Sequence, residues 1–240
     1  MLLNPAMSAA LERIAERAAD VGRAFAPGAV PRHGDVETQT SGSTPTLDPL
    51  SAAPPDGAYF ITVDDRGRTG YSRDGVFAFA GGKLTDSRGF AVMGRVTSGG
   101  PLEELHVDAV DASLDAAVGA RIEPDGSIAY VRTAIDPRTG GRADRTVTIG
   151  RVALARFPAA TGLDTADGQR FRAPEGVVPH VGLAGDGTFA TLGPMKRERS
   201  RVDLDESLAR LKDAYVAFDA LAAAETAKER LGKTAMDIVK

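Results

Sequence analysis

Six turn dipeptides punctuate the middle of this chain: Asp56-Gly57, Asp74-Gly75, Gly81-Gly82, Asp125-Gly126, Asp167-Gly168 and Asp186-Gly187. Between them lie short β-branched or aromatic runs, AYFITV, GVFAFA, GFAVMG, SIAYVRT and TVTIGRVALARF. Asp-Gly pairs favour tight hairpins in which both central residues take positive φ. Interrupted this often, the segment has no room for long helices. Residues 58–193 are therefore expected to form a compact domain of antiparallel hairpins. Within it HVDAVDASLDAAVG, residues 106–119, reads as loop and strand.

Both ends carry a different period. Leu11, Ile14, Ala18, Val21 and Phe25 recur at spacings of three and four, with Glu12, Arg13, Glu16, Arg17 and Asp20 on the other faces. This predicts a helix over 5–25, opened by Pro5 and stopped by Pro27-Gly28. At the other end Leu204, Leu208, Leu211, Tyr215 and Phe218 give the same pattern, which resumes at Leu231, Ala235 and Ile238. Asp203, Asp205 and Glu206 place negative charge where a helix start favours it. Neither helix can bury its stripe alone. The expected fold is a mainly β central domain with N- and C-terminal helices pairing as a coiled-coil-like hairpin, and their remaining apolar edges meet other copies of the chain. The segments are then 1–26, helix; 27–57, an extended linker rich in Pro, Ser, Thr and Gly, either mobile or an ordered arm; 58–193, β domain; and 194–240, helix.

A net charge of −4 and a pI near 5.5 supply no basic field for nucleic acid, and 5% aromatics without Trp supply no base-stacking platform. Absence of cysteine removes disulfides, thiol catalysis and Cys-based zinc sites. The N-terminal MLLNPAMSAALERIAERAAD does not read as a cleavable signal peptide.

Specific chemistry fares no better. Gly82-Lys83 lacks both the upstream Gly and the following hydroxyl of a phosphate-binding loop. Asp64, Asp65, Asp74 and Asp86 are too dispersed for a calcium loop and read as carboxylates in turns. His33, His106 and His180 have no metal spacing, and no G-x-S-x-G elbow surrounds Ser8, Ser41, Ser72 or Ser200. No catalytic, cofactor-binding or metal residue is assigned. The expectation is a non-enzyme with no cofactor and no small-molecule substrate. The cluster PMKRERSR, residues 194–201, reads as a solvated junction or as a contact for an acidic face of a neighbour.

Residues 56–94, DGAYFITVDDRGRTGYSRDGVFAFAGGKLTDSRGFAVMG, resemble the signature stretch of the bacterial flagellar hook and basal-body rod proteins. Tyr59, Phe60, Tyr71, Arg73, Asp74, Gly75, Phe77, Gly82, Leu84, Gly89, Val92 and Gly94 stand at that family's motif positions. ARIEPDGSIAYV is similar to its I-x-x-D-G-x-I/V strand pair, and Gly150, Leu154, Phe157, Gly162, Leu163, Gly168 and Phe171 match a further segment. Ser200-Arg201-Val202-Asp203 and Ala214-Tyr215 resemble the approach to its last helix. At the front, Glu16, Arg17, Asp20 and Gly22 replace the family's asparagines.

The resemblance implies a structural rod subunit, closer to rod than to hook. Such subunits leave the cell by flagellar type III export without a cleaved signal and stack helically within the basal body to transmit torque. Implied partners are copies of the chain and other rod or hook proteins. Because a helical contact does not close, the terminal helices are expected to be only partly ordered in the free subunit and to dock on assembly. The alternative is a secreted or surface β-domain binding module with a helical stalk.

Overall fold

The computed structural model describes residues 4–29, 42–107, 119–135, 138, 140–158, 163–165 and 169–238. Several expectations lie outside these: the linker's central residues 30–41 with His33, the segment 108–118, Gly162, and the Asp167-Gly168 turn.

Helix α1 is Pro5–Arg23, opened by Asn4, whose Oδ1 accepts from the Ala6 amide at 3.0 Å. Strands follow at Ser43–Pro45 (β1), Ala52–Ala53 (β2), Ala58–Val63 (β3), Thr69–Ser72 (β4), Phe77–Ala80 (β5), Lys83–Asp86 (β6), Ala91–Arg95 (β7) and Glu103–Glu104 (β8). After them come Arg121–Ile122 (β9), Ser127–Ile135 (β10), Arg142–Arg156 (β11), Asp164–Thr165 (β12), Arg170–Arg172 (β13), His180–Leu183 (β14), Gly193–Pro194 (β15) and Lys196–Glu198 (β16). Helix α2, Leu204–Ile238, closes the chain. Asp203 caps it, with Oδ1 3.0 Å from the Glu206 amide. The described chain is thus mainly antiparallel β with one helix at each end.

A 12-stranded sheet runs β12, β13, β4, β3, β11, β7, β6, β5; β10 and β14 also pair with β11, β9 pairs with β10, and β8 with β7. Its spine is β11. The run Val152, Ala153, Leu154, Ala155 is buried on both faces, so it reads as continuously apolar rather than alternating. Val152 and Leu154 join one core with Phe60, Phe77, Leu84, Val92, Leu105, Ile128 and Tyr130. Ala153 and Ala155 face the second, with Ile61, Tyr71, Phe171 and Leu183.

The hairpin corners work differently from the expectation. Among the described Asp-Gly pairs, Gly57, Gly126 and Gly187 have positive φ, but no Asp does. Aspartate contributes its side chain instead. In the corner joining β3 to β4, Asp64 Oδ1 accepts from the amides of Arg66 and Arg68, while Gly67 takes φ 74°. The corner joining β6 to β7 repeats this: Asp86 Oδ1 accepts from Arg88 and Phe90, and Gly89 takes φ 82°. Both are D-x-R-G sequences, with the carboxylate capping the turn's amides and the glycine supplying the left-handed backbone.

Asp74-Gly75 is not a hairpin corner at all. Gly75 has ordinary φ and lies under β2: a Cβ there would approach the Ala52 carbonyl oxygen to 1.7 Å. Of the two alternatives for the linker, residues 42–57 form the ordered arm. Its β1 pairs with β16, its β2 pairs with β15, and Ser51, Ala52 and Ala53 are buried. A burying strand pair overrides the Pro- and Ser-rich composition that marks a linker.

Candidate functional site

The two helices lie against each other in antiparallel sense. Asn4 Nδ2 donates to Glu225 Oε2 at 3.4 Å at one end, and Ser200 Oγ donates to the Arg23 carbonyl at 2.9 Å at the other. At 1.5 Å per residue, α2 is about 50 Å long against about 28 Å for α1. The overhang beyond Glu225 is therefore about 20 Å.

Ala10 and Ile14 of α1 are buried and Met7, Arg17 and Val21 half-buried; on α2, Leu204, Leu211, Ala214, Phe218, Ala222 and Glu225 are half-buried. Between the helices runs a groove of about 500 Å³ lined by Ala6, Ala10, Arg13, Ala214, Ala217 and Leu221. The expected helix-pairing residues divide accordingly. Ile14, Val21, Leu204, Leu211 and Phe218 lie at the inner side, whereas Leu11, Ala18, Phe25, Leu208, Tyr215, Leu231 and Ile238 are exposed. Exposure reaches 79% at Phe25, 71% at Leu231 and 80% at Ile238.

A second apolar stripe of α2 was not read from the sequence. Val216, Ala220, Ala223, Ala227, Leu231, Thr234 and Ile238 follow at intervals of four and three, and all are exposed. At 100° per residue they fall within an arc of about 80°, opposite the half-buried side. No charge interrupts them, and the Thr234 hydroxyl donates back to the Arg230 carbonyl at 3.0 Å. Two opposed apolar faces cancel in any one-sided measure of amphipathicity, which hid the pattern.

The junction of helices and β domain centres on Arg73. Its Nε lies 2.6 Å from Glu198 Oε2, and its Nη1 donates to the Ala58 carbonyl at 2.6 Å. The side chains are only 3% and 2% exposed. Arg201 reaches the other oxygen of Glu198 at 3.3 Å, and the Arg201 amide donates to the Ala29 carbonyl at 2.8 Å. Gly28 presses on Arg73 so closely that a Cβ there would meet Arg73 Cβ at 2.7 Å. The segment 194–201 is solvated at Lys196 and Arg199, as a basic junction would be, but Glu198 within it is buried, because β16 carries it under Arg73.

The remaining motif residues serve the frame. Tyr71 meets Phe157 edge-on with centroids 4.8 Å apart, and Phe77 meets Phe60 at 5.0 Å. Asp74 is buried, accepts from the Val76 amide at 3.1 Å and holds the Ser87 hydroxyl. Gly89 forms its corner, and a Cβ on Gly94 would reach the Arg151 carbonyl oxygen at 2.4 Å. Burial pushes the carboxyls of Asp74 and Asp86 above the usual 3.8. The Arg68 amide, helped by the Arg68 side chain, the Arg66 amide and Arg170, holds Asp64 well below it.

His106 Nδ1 contacts the Glu104 carbonyl at 3.1 Å, and the His180 ring stacks on Phe189 with centroids 5.9 Å apart. These two do not meet. Among the described residues no three His, Asp or Glu side chains gather as a metal ion would require, and no helix is long and apolar enough to cross a membrane. No known family model matches the chain, and none of the curated proteins compared with it does.

Proposed function

We propose that the chain is a structural subunit of the bacterial flagellar basal-body rod, exported without a cleaved signal and polymerised through its terminal helices to transmit torque. The motif residues of the resemblance support this reading by their placement in the frame rather than around a cavity. The observation that carries it is α2, apolar on the side of α1 and apolar again on the side facing away. A helix of this kind is built to be sandwiched.

In this reading α1 and the first part of α2 form a coiled-coil-like hairpin within one subunit. The exposed stripe from Val216 to Ile238 receives a helix of another copy. Alanines at Ala220, Ala223 and Ala227 leave room for close approach. Leu11, Ala15 and Ala18 on the outer side of α1, with Phe25 just beyond its end, supply a matching surface of small and apolar residues. Such a contact joins two different patches, so it does not close on a dimer and propagates into a helical array. Full burial of Val216, Leu231 and Ile238 would contribute roughly 1.5–3 kcal/mol each.

Sedimentation of the purified chain tests this. Concentration-dependent oligomers or filaments are expected, and Val216→Asp with Leu231→Asp should leave a folded monomer of unchanged helicity. A wild-type chain that stays discrete at every concentration would sink the reading in favour of a surface binding module with a helical stalk. In the native host, deletion should abolish motility and leave truncated basal bodies.

A further inference from the structure

At the end of the sheet away from the helices, five guanidinium groups come together. Val63 pairs with Ala91, so β3 and β7 bring the two D-x-R-G corners side by side. These corners present Arg66, Arg68 and Arg88, and β13 adds Arg170 and Arg172. Arg66, Arg68, Arg170 and Arg172 line a concavity of about 370 Å³ with Phe90, Asp64 and Asp65, and Arg88 lies 5.9 Å over the Phe90 ring. Arg170 is fully engaged: it lies across Gly70, stacks 4.3 Å over the Phe90 ring, and reaches Asp64 and the Arg68 carbonyl. Arg68 pairs with Asp64 at 2.8 Å.

Arg66 and Arg172 are exposed and have no carboxylate partner among the described residues. To the corner itself the third residue contributes its amide, at Arg66 and at Arg88 alike, while the Arg88 side chain also lies over the Phe90 ring. Five arginines against Asp64, Asp65 and Asp86 leave this end net basic on a chain of net charge −4.

Carboxylates are exposed at the cap and along the first half of α2, namely Asp203, Asp205, Glu206, Asp213 and Asp219, against Arg210 and Lys212 on the helix, Lys196 and Arg199 just before it, and Arg13 and Arg17 across the groove. Arg210 is held by Glu206, whereas Asp205, Asp213 and Asp219 have no cationic partner among the described residues. At 100° per residue Asp205, Asp213 and Asp219 flank Val216 at the start of the exposed stripe. The root of α2 lies beside Arg73, whose guanidinium holds the Ala58 carbonyl at the start of β3. The arginine corners are at the far end of that strand, roughly 20 Å away at 3.3 Å per residue.

We infer that the arginine-lined end of the β domain, centred on Phe90, docks on the acidic root of α2 in a second copy of this chain. This rests on the reading that copies assemble, and it names one pair of surfaces that meet. Arg66 and Arg172 face Asp205, Asp213 and Asp219, and the stripe from Val216 onward is left to the neighbouring helix. Because the two patches are at opposite ends of one molecule, the contact is head-to-tail and leaves a basic and an acidic end free for further copies. Guanidinium–carboxylate pairs at such a rim set register and encounter rate, and ionic strength screens them.

Sedimentation velocity of the full chain across a salt series tests this. Self-association should weaken at least tenfold between about 0.02 M and about 1 M NaCl, where the Debye length falls to about 3 Å. Arg66→Glu with Arg172→Glu should lose low-salt association to a similar degree while retaining the wild-type melting temperature, and so should Asp205→Arg with Asp213→Arg. Mixing the two charge-reversed proteins should restore it. Because the chain has no cysteine, Arg172→Cys and Asp213→Cys give a second readout. Under mild oxidation the mixture should yield heterodimers faster than either protein crosslinks alone. If wild type associates and the reversed variants associate equally well, the docking surface is wrong while assembly stands. If wild type associates at no salt concentration, the assembly reading fails first.

Discussion

Glu198→Gln isolates the joint between the helices and the β domain. The substitution keeps volume and one acceptor, but it sets an NH₂ group against either Arg73 Nε at 2.6 Å or Arg201 at 3.3 Å. In the first orientation Arg73 keeps only the Ala58 carbonyl as hydrogen-bond partner, and in either it loses its counter-charge in a site where its side chain is 3% exposed. Removing one member of a buried pair typically costs about 3–5 kcal/mol, because the survivor remains desolvated without its counter-charge. Against a total stability of about 5–15 kcal/mol this is a large fraction. For a chain of this size it corresponds to a fall in melting temperature of roughly 10 °C.

Urea unfolding of four proteins gives the cycle: wild type, Glu198→Gln, Arg73→Met, and Arg73→Met with Glu198→Gln. The double variant should be less destabilised than the two singles summed, by about 2 kcal/mol or more, since Arg73, the fully buried charge, is then gone and only the partly exposed Arg201 loses a partner. Hydrogen exchange supplies the spatial readout. In Glu198→Gln the amides around Arg23 and Ala29 should lose protection before those of β11, because Ser200 and Arg201 anchor the end of α1 to this strand. A Glu198→Gln protein within about 1 kcal/mol of wild type, or strict additivity in the cycle, would refute the claim that this pair holds the joint.

Gly75→Ala should cost about 3 kcal/mol in the same unfolding assay, the upper range for overpacking, because its Cβ must displace the Ala52 main chain. Gly187→Ala, at φ 91° but in open space, should cost only about 1 kcal/mol. Asp64→Asn keeps the turn acceptor but loses the attraction to Arg68 and Arg170. As the folded-state value of Asp64 is depressed, its stabilisation is full above pH 3.8 and is lost as pH falls through the folded value. The gap in melting temperature between wild type and Asp64→Asn should therefore be constant near neutrality and close progressively below about pH 4.

The sequence carried the β texture and the two helices because both rest on local periods, two along strands and near 3.6 along helices. The corners were legible as places but not as mechanisms. Aspartate and glycine were both visible, yet the carboxylate's role as cap to amides two and four residues on appears only once the turn is built. The repeated D-x-R-G at Asp64 and Asp86 is the local pattern that marks these corners, and it is distinct from the Asp-Gly dipeptides. The Arg73–Glu198 pair was out of reach, as its members are 125 residues apart and meet through strand order rather than any local pattern. The outer stripe of α2 was half seen: Leu231 and Ile238 stood out, but alanines and a threonine connect them to Val216, and small residues raise no signal in a search for bulky ones.

Rigidity at the joint follows from how the chain passes through it. The segment leaving α1 and the segment leading into α2 run side by side, tied by the Arg201–Ala29 main-chain bond and by Ser200 on the Arg23 carbonyl. Immediately beyond, β1 pairs with β16 and β2 with β15, so both segments are laddered before they reach the large sheet. Arg73 then crosses from the β domain to Glu198 on one of those ladders. Apolar surfaces tolerate sliding because their attraction has little direction, whereas a desolvated guanidinium tolerates few displacements that leave its hydrogen bonds made. The helical pair is consequently held to the sheet in one orientation. In the proposed assembly that fixed angle converts a contact at the arginine end of one copy and the root of α2 in the next into a constant rise and rotation per subunit.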